Sequence, residues 1–485
     1  MKNKIKSLAL VGILPLLMAC GTRTGLPKIK RLDTTDAYAV FFGVPYNGDD
    51  PNYTKHDFTS KDIDNIIRHA DLYKMNKDGF IEKLKVETEK SSDDTNYKDK
   101  EYMYRDINDD YWYLRIHYDD EFDEYLINKK TGKAIYVDDE DIYFNFAGQK
   151  SASHRRYYPQ DKDGNLYTVS TSLIKGIYIT KIKINEEEEK IEYKDIFTHY
   201  SLQDYTPIGV DNDGNIAVCV ESDPMYDGYG YKETEKSKVI YITNEGNEFE
   251  IETTEHFYTT ADIKSSSSSG ETTKHYDNVD VLTKGFWQGY DNEIYTNEGR
   301  YICKVVPEKN SDGKIVGAKQ EPVCELEYKP SYLAYTGGYV YLDGLQEVYA
   351  FAYSKENDSE EYSSVDFYCM YGKNMGKKVL SVPAELADSL WFLDSGFYSS
   401  NDSIYFDGTY KTTRITFGNE PSYVSKEISG YFGRQVTYDN KIMLRTAYNI
   451  YKIYDFEKGE EIKTTGCQFE FLDGAGECDL MVLAN

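Results

Sequence analysis

The stretch that most constrains this chain occurs twice, as DKDGNLYTVS (Asp161 to Ser170) and DNDGNIAVCV (Asp211 to Val220). In each, Asp and Asn set a tight turn, Gly takes the positive φ, and a strand follows with its side chains alternating between two faces. Weaker copies recur. Their first turns are expected at Asp109-Asp110, Asp163-Gly164, Asp213-Gly214, Asp291-Asn292, Gly337-Gly338, Asn401-Asp402 and Asp439-Asn440. The spacings are uneven but centre near the length of a four-stranded propeller blade. The 48 Tyr against 12 Pro suit half-buried pleated surfaces, and helical periodicity is nearly absent, so the class is all-β.

The second half of each unit is clearest in YLINKKTGKAIY (Tyr125 to Tyr136) and YKIYDFEKGEEIK (Tyr451 to Lys463), both strand, Lys-Gly turn, strand. ITKIKINEEEEKIEY (Ile179 to Tyr193) and VIYITNEGNEFEI (Val239 to Ile251) follow the same plan. From Lys100 to Lys463 this pattern resembles the quinoprotein-type (PQQ-like) propeller repeat. It departs from it at the end of the fourth strand, where that family favours Trp and this chain has Tyr136, Tyr193 or Lys463.

A lone four-stranded sheet cannot bury both faces, so blades need neighbours and a ring leaves no end exposed. Gly466 to Leu483 reads as one more inner hairpin without outer strands. The strands expected at Tyr38–Val44 and Phe80–Val86 are the spare parts, which predicts eight blades with the last built from both termini; seven is the alternative. One helix is expected after Thr59-x-x-Asp62, carrying Ile63, Ile66, Ile67 and Ala70. The Ser265–Ser269 run is expected to be a loop insertion.

The first residues read as targeting. Lys2, Lys4 and Lys6 precede the apolar run Leu8 to Ala19, too short for a bilayer core that needs about 20 residues. Leu17-Met18-Ala19-Cys20 resembles the lipobox of bacterial lipoproteins, which implies cleavage before Cys20 and diacylglycerol on its thiol. Residues 1–19 are then signal, 20–36 a tether with Arg23, Lys28, Lys30 and Arg31, 37–99 the parts completing the last blade, and 100–485 the propeller. Gly21 in place of Asp favours the outer membrane or cell surface over the inner membrane, by resemblance to the usual sorting rule. Attachment is through the lipid, because a net charge of −28 repels anionic headgroups and phosphate backbones alike and argues against nucleic acid as a partner. An exported location permits disulfides, with Cys303–Cys324 and Cys467–Cys478 able to face each other across hairpins.

No nucleophile elbow, metal-ligand spacing or phosphate loop stands in the sequence, and no cofactor is implied. Asp161-x-Asp163 and Asp211-x-Asp213 resemble pieces of a calcium loop, but turn geometry accounts for them. Innermost strands should open at one mouth of the channel, carrying Arg155, Arg156, Thr206, Phe286, Trp287, Gln288, Tyr332, Phe397, Phe432 and Arg434. Aromatics and arginines converging there would suit an anionic or sugar-like ligand, while ordinary packing between blades is the competing account. The acidic runs Asp119–Asp123, Asp138–Asp141 and Glu186–Glu189 read as exposed charge discouraging edge pairing. Two functions compete: a non-enzymatic binding or scaffold lipoprotein for a protein or small ligand, and a propeller glycoside hydrolase or lyase acting on glycans outside the cytoplasm.

Overall fold

A computed structural model describes residues 28–45, 71–89 and, with interruptions, 100–482. Seven antiparallel sheets follow one another in sequence. Six are four-stranded meanders in which each strand pairs with the next in sequence, beginning with Lys100–Asp106, Tyr111–Tyr118, Glu121–Asn128 and Ala134–Tyr136. The second has Leu166–Ser172, Gly176–Asn185 and Lys190–His199, with a Gln160 to Leu166 bridge standing where the inner strand belongs. The third is Asp204–Val210, Ile216–Glu221, Lys238–Ile242 and Glu248–Ile251, and the fourth Phe286–Gln288, Ile294–Glu298, Tyr301–Lys309 and Ile315–Glu325. The fifth is Val340–Leu342, Glu347–Ser354, Ser364–Tyr371 and Lys378–Pro383. The sixth is Phe397–Ser399, Ser403–Asp407, Lys411–Thr416 and Ser422–Glu427, and the seventh Tyr431–Val436, Lys441–Thr446, Tyr451–Asp455 and Glu460–Ile462. The seventh and sixth are likewise uninterrupted meanders.

A further sheet joins the two ends of the chain. Ala39–Pro45, Asp71–Met75 and Phe80–Lys83 form its body, while Phe469–Glu470 and Met481–Val482 pair with Ala39–Pro45 in place of an inner strand. Thr465–Gly466 lies parallel to Phe80–Ile81 on the outer side.

The core consists of layers between sheets, and period-two alternation fills them. Trp112 and Leu114 join Leu32, Val40 and Leu72 of the N-terminal segment, whereas Tyr113 between them joins Leu166 and Ile182 of the second sheet. Ile216 and Val218 face the second sheet, Ala217 and Cys219 the fourth. Tyr349 and Phe351 pack with Ile404 and Phe406, and Tyr405 with Ile442 and Phe456. Lys441 of the seventh sheet lies 5.5 Å from the Tyr38 ring centre beside the terminal sheet. Each of the first six sheets thus buries both faces against its neighbours, the arrangement of a β-propeller of four-stranded blades.

Strand direction gives the molecule two different ends. Every turn from a first to a second strand, and from a third to a fourth, lies at one end, called here the turn end. Lys129 N donates to Asp110 O (2.8 Å) and Asn244 Nδ2 to Asp213 O (3.0 Å), tying the two turns of one sheet together. Neighbouring sheets join at the same end: Asn212 Nδ2 donates to Asp291 O (2.9 Å), Tyr290 OH to Asp343 Oδ1 (2.9 Å) and Gly344 N to Asn401 O (2.9 Å).

Several expectations change. The helix expected at 59–70 lies outside the described residues, as do Cys467, Cys478 and Asp138–Asp141. Tyr258–Ser267 and Gly270–Asp280 form a long two-stranded antiparallel pair, so Ser265 to Ser267 continue a strand where a loop insertion was expected. The first turn of the fifth unit is Asp343–Gln346, after Val340–Leu342, and not Gly337-Gly338. Residues 29–32, expected in the tether, are a strand paired with Val86–Thr88, and Ile29 and Leu32 are buried. Arg31 Nε donates to Thr131 O (3.0 Å) and Lys28 Nζ sits 3.7 Å from the Tyr136 ring centre, so both are held by the first sheet. Cys303 and Cys324 are free thiols; Cys303 stands opposite Pro322 and Cys324 opposite Ile302, because a bulge offsets them. Glu186 is no simple surface charge: it accepts from Tyr111 OH and from Asn128 Nδ2 (2.7 Å), and Lys133 Nζ donates to its carbonyl (2.7 Å).

Candidate functional site

Of the mouth residues that the structure describes in full, Phe286, Trp287 and Gln288 stand together on the inner strand of the fourth sheet. Alternation sends Phe286 towards Ile208, Ala217 and Tyr241 of the third sheet, and Trp287 towards Tyr339 and Val348 of the fifth. The Trp287 ring lies 4.7 Å from that of Tyr339 and 6.0 Å from that of Tyr295. Gln288 turns back to the third sheet, where Nε2 donates to Val210 O (2.5 Å) and its side chain rests against Gly209. Packing therefore takes up all three. One group is left over: the buried Trp287 indole N–H meets no acceptor among the described residues.

Thr206 is half-buried opposite Cys219 on the inner strand of the third sheet. Phe397, Phe432 and Arg434 lie on the inner strands of the sixth and seventh sheets, as expected. Arg155, Arg156 and Tyr332 lie outside the described residues.

The Asp-Gly turns resolve into a hydrogen-bond device. Asp161 Oδ1 accepts from Asp163 N (3.0 Å), Asn165 N (3.0 Å) and Asn165 Nδ2 (2.9 Å). Its Oδ2 accepts from Tyr167 OH (2.9 Å) and Lys181 Nζ (3.1 Å). Asp211 repeats this with Asp213 N (2.9 Å), Asn215 N (2.9 Å) and Tyr241 OH. Asn76, Asn108, Asn128 and Asn310 do the same with a neutral amide oxygen. The carboxylate oxygens face turn amides and buried phenols, which is turn chemistry. Among the described residues no group of three His, Cys, Asp or Glu could hold a metal ion.

Burial acts to raise the Asp161 carboxyl, but hydrogen bonds from the Asn165 side chain and backbone, Lys181 and Tyr167 outweigh it and hold the group below its ordinary value. Burial also pushes the phenols of Tyr167 and Tyr241 upward, and the carboxylates beside them add to it. Both shifts follow from the bonds that build the turns and from burial between sheets.

A recess of about 270 Å³ opens at the turn end of the terminal sheet, lined by Asp33, Thr35, Asp36, Lys74, Asn76, Phe80 and Glu82. Sequence reading missed it, because its walls come from segments some forty residues apart that meet only when Ala39–Pro45 pairs with Asp71–Met75. Lys74 forms its floor, donating to Thr35 O (3.0 Å) with Glu82 at 3.4 Å and Asp33 at 3.7 Å. A hydrogen bond from Thr35 holds the Asp33 carboxyl below its ordinary value against slight burial. With Lys74 engaged by two carboxylates, the recess is net acidic.

No family model matches the chain, and no curated protein matches it. Among solved structures it is similar to a putative 6-phosphogluconolactonase from Bacteroides uniformis (12% identity, 75% of this chain and 97% of that one, TM-score 0.35). It is also similar to the propeller of Dos1 (8% identity, 65% and 71%, TM-score 0.30) and to BamB from Moraxella catarrhalis (11% identity, 62% and 88%, TM-score 0.22). Among the described residues no helix is long and apolar enough to cross a membrane.

Proposed function

We propose that this chain is an exported lipoprotein, anchored through Cys20, whose propeller of eight blades is a non-enzymatic binding or scaffold module for a protein or small ligand. The observation that carries the anchor is Leu17-Met18-Ala19-Cys20 at the end of a short apolar run behind three lysines. For the binding role the support is chemical: the buried Asp and Tyr groups described above serve turns and packing. The mouth arginines Arg155, Arg156 and Arg434 are the proposed contacts for an anionic ligand. The outer membrane or cell surface is the proposed location.

The anchor is tested by expressing the full chain and its Cys20→Ala variant with a labelled fatty acid. Label and membrane sedimentation are expected in the first and absent from the second; equal sedimentation of both overturns the anchor. The binding role is tested by incubating the purified chain with a panel of envelope glycans. Turnover of any of them overturns the non-enzymatic reading, and partner capture that Arg155→Ala and Arg434→Ala weaken supports it.

A further inference from the structure

The recess at the turn end of the terminal sheet has a wall that packing does not use. Phe80 lines it and is 44% exposed, so a large apolar ring meets water there. The turn before it fixes its place: Asn76 Oδ1 accepts from Asp78 N (3.0 Å) and Phe80 N (2.9 Å), and Asn76 N donates to Phe80 O (2.9 Å). Those bonds occupy the oxygen of the Asn76 amide and leave Nδ2, a pure donor, with no partner among the described residues. Asp36 is exposed on the lining, and its carboxylate bonds to nothing described.

Charge narrows what such a recess can take. An anion would meet the carboxylates of Asp33, Asp36 and Glu82 against a single ammonium. A cation would meet that ammonium, because Lys74 already stands between two of the carboxylates, 3.4 Å from Glu82 and 3.7 Å from Asp33. Lys74 and Glu82 are ladder partners, so strand pairing keeps the ammonium in that place. What the pairings leave over is hydrogen-bonding capacity of both kinds beside one apolar ring: acceptors on Asp36 and Glu82, donors on Asn76 and Lys74.

A neutral ring with hydroxyls around its edge and C–H groups on its face answers both features. Each hydroxyl donates and accepts, and the C–H face is apolar surface that an exposed aromatic ring can cover. Pockets for drug-sized ligands start at about 300 Å³, so a recess of about 270 Å³ suits one such ring and not a row of them. We propose that the recess binds a single pyranose unit of a neutral saccharide, laid on Phe80 and hydrogen-bonded by Asp36, Glu82, Asn76 and Lys74. This goes beyond the binding role proposed above: the site shares no residue with the channel mouth and does not depend on the anchor.

The test follows binding to the purified full chain, in buffer without sugar-headed detergent, by saturation-transfer NMR and titration. Glucose, galactose and mannose are the neutral probes; glucosamine at mildly acid pH and glucuronate carry a positive and a negative charge on the same kind of ring. At least one neutral sugar is expected to bind at millimolar concentration, and more tightly than either charged one. Phe80→Ala should weaken that binding about tenfold, while Phe80→Tyr, which keeps the ring, should retain it. Absence of binding by all the neutral sugars overturns the site, as does tighter binding of glucosamine or glucuronate. A Phe80→Ala chain that binds as the parent does overturns it too. Each of these results leaves the Cys20 anchor and the mouth contacts as they were.

Discussion

At the scale of residues, the carboxylates that look most like chemistry are hinges of the turns. Asp211 takes bonds from two backbone amides, the Asn215 side chain and the Tyr241 phenol, all in a buried setting. Asp211→Ala strands those donors and is expected to cost about 2–3 kcal/mol, read from the urea midpoint; Asp211→Asn keeps one acceptor and should cost less. Asp161 has a lowered folded value, so its contribution is fully present above the unfolded value near pH 4 and is lost as pH falls through the folded value. Asp161→Asn should therefore flatten the fall of stability in that acid window, lowering stability near neutrality and changing little below the folded value. A similar fall in both chains would disprove the assignment. The thiols behave as packing groups: burial pushes Cys303 up to about 11 and Cys369 up to about 12. Both should resist a thiol reagent at mildly alkaline pH in the folded chain and react once it is denatured.

At the scale of elements, alternation along one short strand decides which sheet each side chain serves. Trp287 is wholly buried between the fourth and fifth sheets, and its N–H bonds to nothing described. Trp287→Ala should cost about 3–5 kcal/mol through the cavity it leaves. Trp287→Phe forfeits no hydrogen bond, and its cost should be well under half of that. A Phe variant as damaged as the Ala variant would show that the indole N–H has a partner after all. The family resemblance places Trp at the end of the fourth strand; here Trp112, Trp287 and Tyr side chains of second and third strands such as Tyr295, Tyr125 and Tyr241 pack between sheets. Gly132→Ala attacks a different joint, forcing a Cβ into Leu32 O at a positive φ, and should cost about 2 kcal/mol or more in the same measurement.

At the scale of the molecule, the last sheet exists only because both ends of the chain meet. Removing residues 465–485 strips the inner strand from Ala39–Pro45 and leaves its ladder groups unpaired. The truncated chain is expected to unfold at lower urea and to associate as concentration rises, since an open edge recruits other chains. Light scattering unchanged from that of the full chain would show that the edge is closed in some other way.

Local structure is written directly in the chain. Asp161, Asp211 and their glycines specify turns through bonds within five residues, and period-two runs such as Ile216–Glu221 specify strands with two apolar faces, so repeat and blade could be read directly. That the two ends would share a blade was legible too, but not its division. An inner hairpin was expected from Gly466 to Leu483 with two N-terminal strands outside it, whereas Phe469–Glu470 and Met481–Val482 each pair with Ala39–Pro45 and the N-terminal segment supplies three strands. What depends on which sheets meet appears only in the folded molecule. Gly132 matters because residue 32 arrives beside it, Glu186 because Tyr111 and Asn128 do, and Phe286 and Trp287 because alternation hands them to different neighbours. The recess around Lys74 is likewise made by a pairing across residues the repeat does not contain. Local rules fix φ, ψ and the direction of side chains; contacts between distant segments depend on register and ring order, which no short stretch of the chain encodes.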